Sequence, residues 1–596
     1  MKKNVLFFVI DSLSYERLTE KYSANAVPFL KKVMEENISF SNMYSQAPYT
    51  EAALMGLVCG VHTMDHNGYM MRYRDVPETF LETFAKNDYE VYQLLQPHIY
   101  PSSLERNIPN SYYNVAFDFN ALWSYRLSYF ADLYSKGQIE KNDYHELSDM
   151  MLDNFRGWIL FLERVKNKDE SVSLIIDNLK EYNVQEILAQ VQKEYEEFLL
   201  NNVQYLNELF EKKKEHPIFK IPTLNQIHKI HNSSFKEKVI STYTPFFESL
   251  AKKQKMTDIR WNRDVGEVFM DLCKTAYHDP SKQNLKKTLQ FLNYVRNRRN
   301  KNLVLERIAE NYDAYKAAPS VQKHMEHFLW WYNHKHDKNK NYLAYIHVDD
   351  IHNPEMFFSY DSENFEMVSK ELNHAKKYVE NLPDGYKGSI TYDLALQYMD
   401  QKLEWFFEEL RKSGILKNTT IYITADHGFS FYNKPLRDTV PNNFYRESYH
   451  VPFIIVDDEI EKANVDDFHQ TMDIPATILE QVKLPIPIDF SGVSVFKEKR
   501  SCIMMEYMGG GCPDIYRRPI KYGIRNEKFS AVYSVSIYQD FWQGKLEKYF
   551  DLEKDSLERK NLAFTIKNVS KELGELLKPL EKRHQTLREY YHGKKL

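Results

Sequence analysis

Asn4-Val5-Leu6-Phe7-Phe8-Val9-Ile10-Asp11 decides the fold. Apolar residues follow one another without alternation from Val5 to Ile10, and three of them are β-branched. A run apolar on both faces reads as a strand buried on both sides, the kind found inside a parallel sheet. Asp11 stands at its carboxyl end, where open α/β sheets bind ligands. On the residues alone, Asp11 is equally a ligand and a cap for the turn Asp11-Ser12-Leu13-Ser14.

Working outward, the pattern recurs. Ile38 to Tyr44, Glu90 to Leu95, Tyr342 to Val348, Thr419 to Thr424 and His450 to Val456 read as further strands. Between them, Phe80 to Lys86 reads as a helix. Tyr392 to Lys412 is amphipathic, with Leu394, Tyr398, Leu403, Phe406, Phe407 and Leu410 on one side and Gly414 as its stop. Asp473-Ile474-Pro475 opens another helix. Strands alternating with helices predict an α/β domain with a mostly parallel sheet and helices on both faces. From Phe119 to Lys340 glycine is rare and apolar residues recur at helical spacing, as in Glu194 to Leu200 and Leu206 to Lys212. The predicted order is therefore a first α/β part (1–118), a helical insertion acting as lid or specificity module (119–340), a second α/β part (341–500) and a small α+β unit (501–596). Both ends of the insertion meet catalytic-domain strands, so it is expected to cover the carboxyl-end edge of the sheet.

Composition narrows the function classes. The chain has 596 residues, 43% hydrophobic and 27% charged, with a net charge of −5. That balance predicts no nucleic-acid surface. Its 4 cysteines, Cys59, Cys273, Cys502 and Cys512, form no CxxC pair, which favours a reducing compartment. Cys59 reads as a small core residue. Lys2 and Lys3 precede an apolar run too short for a signal peptide, and no later run reaches transmembrane length. A cytoplasmic location is the expectation; oligomeric state is not readable.

Ala47-Pro48-Tyr49-Thr50-Glu51-Ala52-Ala53-Leu54-Met55 reads as a loop turning into a helix at Thr50. A hydroxyl there is either an N-cap or a nucleophile at the positive end of the helix dipole. Strand ends supply Asp11, Asp426-His427 in Ala425-Asp426-His427-Gly428, and His352 in Asp349-Asp350-Ile351-His352-Asn353-Pro354. A parallel sheet brings such ends to one edge. Asp11, Asp426, His427 and the Thr50 oxygen form a mostly oxygen, one-nitrogen set suited to one divalent metal ion, Mn²⁺ or Zn²⁺ first, then Mg²⁺ or Ca²⁺. Asp349 and Asp350 are adjacent, so at most one faces that edge. Gly509-Gly510-Gly511 reads as a turn.

These motifs resemble the sulfatase branch of the alkaline phosphatase superfamily. Asn4 to Leu13 is similar to the opening strand and metal aspartate, Ile421 to Gly428 to the second metal motif, and Ala47 to Thr50 falls at the nucleophile. His352, before Asn353-Pro354, and His450, before Val451-Pro452, match residues that contact the anionic group. Asp473 to Thr477, and Tyr549 to Asp555 with Asn561 to Ala563, resemble the C-terminal signatures. Glu506 to Asp514 is similar to soluble sulfatase-like proteins of surface-polysaccharide clusters.

The chain also departs from that pattern. Sulfatases convert the Cys or Ser of C/S-x-P-x-R to formylglycine, whereas Thr50-Glu51-Ala52-Ala53-Leu54 has none of those residues. Ser12 replaces the family's second aspartate. Both changes resemble the phosphotransferase-like members, which use a threonine. The resemblance thus implies metal-dependent hydrolysis or transfer of an anionic phosphoester, glycan-linked or phospholipid-derived, with Thr50, His352 and His450 as catalytic residues. The rivals are a two-metal phosphodiesterase adding Asp349 or Asp350 with His352 and His450, a sulfatase, and a non-catalytic glycan-binding scaffold.

Overall fold

A computed structural model describes residues 3–67 (except 22), 76–95, 106–113, 119–222 (except 180 and 181), scattered positions in 237–293, then 320–352, 365–382, 390–429, 444–508 and 514–592 (except 557, 559 and 566–569). The expected Gly509–Gly511 turn, Cys512 and Asn353-Pro354 lie outside the described residues.

The main sheet contains β1 (Asn4–Ile10), β2 (Ile38–Tyr44), β3 (Glu90–Leu95), β4 (Asn110–Tyr113), β5 (Tyr342–Val348), β6 (Thr419–Thr424), β7 (His450–Val456), β8 (Ala463–Val465) and β9 (His469–Gln470). They run in the order β4-β3-β5-β1-β6-β7-β2-β8, with β9 also on β2. β1 is central, parallel to β5 on one side and β6 on the other. Of these strands, β7 alone runs antiparallel to its neighbours. Every residue of β5 and β6 is buried, as is β1 from Val5 onward, which is why their sequences are apolar without alternation.

β1, β5 and β6 end level with one another: Ile10 pairs with Val348, and Val9 with both His347 and Thr424. Asp11, Asp349 and Asp426 therefore leave the sheet along one edge. β7 starts at that edge because it runs the other way.

The insertion has an apolar core of its own. The helices Phe119–Ser135, Lys141–Lys166, Val184–Leu200 and Asn202–Lys212 pack around Leu147, Phe155, Trp158, Phe161 and Leu206. The chain leaves β4 at the carboxyl edge and returns there, since Val321 N donates to Asp350 Oδ1 at 3.0 Å at the start of the Val321–His334 helix. That helix then carries the chain back to the amino end of β5.

The C-terminal unit is a four-stranded antiparallel sheet, β10 (Ile503–Tyr507), β11 (Ile520–Arg525), β12 (Phe529–Val535) and β13 (Lys545–Asp551), with the Lys571–His592 helix. Arg583 ties it to the first α/β part, 2.7 Å from both Asp65 Oδ1 and Glu506 Oε1. No helix of the described residues is long and apolar enough to cross a membrane.

Candidate metal and active site

Thr50 opens a helix, Thr50–Cys59, whose residues from Ala52 to Cys59 are all buried. Tyr49 occupies the N-cap position and makes no side-chain cap. The Thr50 hydroxyl is turned elsewhere: Oγ1 lies 3.3 Å from Asp11 Oδ2 and 3.1 Å from His427 Nε2. It is only 4% exposed.

A neighbouring bond orients the His427 ring. Its Nδ1–H donates to the Gly428 carbonyl at 2.6 Å, which turns Nε2 towards Thr50 and the two carboxylates. Nε2 lies 3.6 Å from Asp11 Oδ1 and 3.5 Å from Asp426 Oδ2. Asp426 Oδ1 accepts from His427 N at 2.7 Å and Ser12 N at 3.2 Å. Asp426 Oδ2 is buried with no hydrogen-bond partner. Ser12, held at φ +67°, donates from Oγ to Asp11 Oδ1 at 2.6 Å. His352 Nδ1 sits 3.0 Å from the same Asp11 oxygen and 3.1 Å from Ser12 Oγ, with 43% of its side chain exposed.

Burial opposes ionisation of Asp11, but His352, His427 and His347 around it hold its carboxyl well below the usual range. Asp349 goes the other way: burial and the Asp11 charge push it up to about 6. His347, on β5, is fully buried, and burial lowers its pKa.

The donor set fits a divalent cation. Donor atoms of Thr50, Asp11, His427 and Asp426 stand 3.1–3.6 Å apart along the contacts given above. A tetrahedral ion with ligands at about 2.0–2.2 Å has edges of roughly 3.3–3.6 Å. An unpartnered carboxylate oxygen in a buried site also calls for positive charge. Two groups, Asp11 with His352 and His427, and Asp11 with His347 and Asp426, bring metal-ligating atoms within 4.8 Å of one another.

The family model described as Sulfatase matches residues 3–198 and 223–484. The chain belongs to the sulfatase family. By sequence, no curated protein matches it. Among solved structures, the phosphonate monoester hydrolase of Agrobacterium radiobacter is 13% identical, with a TM-score of 0.47, covering 99% of this chain and 96% of that one. The corresponding enzyme of Silicibacter pomeroyi is 12% identical, with a TM-score of 0.47 over 98% and 95%. BT1596, a 2-O GAG sulfatase, is 14% identical, with a TM-score of 0.46 over 100% and 94%.

In this sulfatase-family chain the structure brings together Asp11, Thr50, His352, Asp426 and His427. It does not bring His450 to them. That ring is fully buried, stacked on Tyr44 with Tyr15 4.5 Å away. Its Nδ1 lies 2.8 Å from Glu16 Oε1, and its Nε2 2.8 Å from the Ser41 carbonyl. Pairing of β7 with β2 explains this, since it sets His450 opposite Tyr44 rather than over Thr50. Asp350 is used on the Val321–His334 helix, while Asp349 stays beside Asp11. Sequence reasoning passed over Ser12, except as a missing aspartate, and His347, the one histidine in the apolar run of β5. A histidine inside such a run was the available signal.

Proposed function

We propose that the chain is a metal-dependent hydrolase or transferase of phosphate esters with Thr50 as nucleophile. The observation that carries this reading is the Thr50 hydroxyl, which does not cap its helix and lies within 3.3 Å of both Asp11 Oδ2 and His427 Nε2. Threonine carries a methyl group on Cβ, so its oxidation cannot give the aldehyde that sulfate-ester chemistry uses in this family.

Asp11, Thr50, Asp426 and His427 would hold a divalent cation, which when bound would supply positive charge to acidify the hydroxyl and neutralise the ester oxygens. Thr50 Oγ attacks phosphorus in line; the Oγ–P bond forms as the bond to the leaving oxygen breaks. His352, oriented by Asp11 and Ser12 and open to solvent, gives the leaving oxygen a proton, and the proton lost from Oγ is released to solvent. Water or an acceptor hydroxyl then attacks the phospho-threonine and restores the enzyme. The positive end of the Thr50–Cys59 helix favours the anionic phosphoryl group throughout. The substrate is an anionic phosphoester, glycan-linked or phospholipid-derived.

The test is a mass measurement on the Thr50 peptide after metal-loaded protein turns over a generic phosphodiester and is quenched in acid. A phosphate adduct on Thr50 is expected. An oxidised carbonyl at residue 50, with turnover of a sulfate ester instead, overturns the reading in favour of sulfatase activity.

A further inference from the structure

His347 belongs to neither the sequence-predicted ligand set nor the chemical steps above, yet it is placed as a ligand would be. β5 and β6 flank β1, and Val9 pairs with His347 on one side and Thr424 on the other. Side chains two residues apart share a face of a strand. Asp11 and Asp426 follow Val9 and Thr424 by two residues, so both stand one row beyond His347 on its own side of the sheet. The ring reaches up to that row: Nε2 lies 3.9 Å from Asp426 Oδ2, the buried oxygen with no hydrogen-bond partner. Donor atoms of His347, Asp11 and Asp426 all lie within 4.8 Å of one another, and all three residues are buried. At the other nitrogen, Nδ1 is 3.2 Å from the Tyr345 hydroxyl. A metal-bound histidine commonly holds its second nitrogen in such a bond, which fixes tautomer and ring angle.

We propose that His347 Nε2 is a fifth ligand of the divalent cation held by Asp11, Thr50, Asp426 and His427. The proposal rests on the metal-dependent reading above and deepens it. With His347 the donor set becomes three oxygens and two imidazole nitrogens. Calcium and magnesium prefer oxygen-only shells, while imidazole suits the later transition ions. The site therefore selects Zn²⁺ or Co²⁺ over Ca²⁺. Tyr345 is a positioning residue for the ring.

The experiment is a Co²⁺ and Zn²⁺ titration of metal-free full-length protein, read by the visible Co²⁺ spectrum and by competition with a chelator. Wild type should bind one ion per chain. His347→Gln should lose about tenfold or more in Co²⁺ affinity and change the spectrum to that of a lower coordination number. Tyr345→Phe should lose less, and Asp426→Asn serves as the reference for a ligand loss. Calcium affinity should change little in His347→Gln. Unchanged Co²⁺ affinity and spectrum in a folded His347→Gln would overturn the fifth ligand while leaving the Thr50 chemistry standing. Two ions per chain, one lost with His347, would overturn a shared site. If wild type takes up no ion at all, the metal-dependent reading falls with it. His347 lies in the sheet core, so a variant that does not fold is replaced by a Zn²⁺-loaded wild-type crystal. Anomalous density about 2.0–2.2 Å from His347 Nε2 supports the assignment, and density beyond contact with that atom overturns it.

Discussion

Glu16 shows how a residue near the site is used for stability rather than chemistry. Burial works against its charge, but His450, through its proximity and hydrogen bond, and then Arg446, lower its pKa to about 2. A carboxylate depressed in the folded state stabilises the protein fully above its unfolded pKa of about 4.5, and that contribution is lost as pH falls towards 2. Glu16→Gln should thus unfold more easily than wild type at pH 7, by on the order of 1–3 kcal/mol. The gap should close as pH is lowered through 4 towards 2, which thermal unfolding at stepped pH will read. The same cluster holds His450, which the sequence places among the site residues, against Glu16 and the Ser41 carbonyl instead. A histidine at the start of a strand at the active edge looks like a ligand, and nothing local announces the Glu16 carboxylate that claims it. Asp11 and the Asp426-His427 pair each follow an apolar run, and the structure sets Asp11 and Asp426 within 3.6 Å of His427 Nε2. Thr50 was ambiguous until the structure showed where its hydroxyl points.

Among the elements, the loop after β6 is tightly confined. Gly428 N donates to the Ser448 carbonyl at 3.0 Å, and a Cβ at Gly428 would overlap the Glu447 carbonyl oxygen and crowd Ser14 Oγ. Gly428→Ala must push the Arg446–Tyr449 helix away from the β6 loop, at about 1–3 kcal/mol or more, because a backbone atom cannot swing aside as a side chain can. The denaturation midpoint should fall, and metal affinity with it, since His427 precedes the displaced residue. A midpoint within error of wild type would show that the two segments do not pack as described. Buried strands were readable by their unbroken apolar runs; the Phe80–Lys86 helix, also read from sequence, starts at a Thr79–Glu82 capping box. β4, β8, β9 and β11 were not. β4 (Asn-Ser-Tyr-Tyr), β8 and β9 are short and polar, and are strands only because a sheet edge is there to pair with. β11 carries Lys521 and Gly523, and is set by its neighbours β10 and β12.

For the whole molecule, the C-terminal unit is joined to the α/β domain through a shared apolar core and through charge. Arg583 holds both Glu506 and Asp65, Glu506 also accepts from Met64 N at 2.6 Å, and the Tyr591 hydroxyl donates to the Met64 carbonyl at 2.8 Å. Glu506 is only 3% exposed, so Arg583→Met leaves a buried carboxylate without its cation. A loss of about 3–5 kcal/mol in urea unfolding is expected, and a loss under about 1 kcal/mol would mean the pair adds little to the join. The helices that follow β4 have an apolar core of their own, and in the sequence they are marked by a change of composition. What they contact is not marked, because helical periodicity gives a buried face and no address. The carboxyl edge is where the account stands or falls, and kcat of Thr50→Ala on a phosphodiester at saturating metal tests it most directly. Loss of the covalent route predicts a fall on the order of a thousandfold or more, with folding retained and measurable activity kept by Thr50→Ser. Near wild-type turnover by Thr50→Ala would contradict the account and leave Thr50 as the first residue of a helix and nothing more.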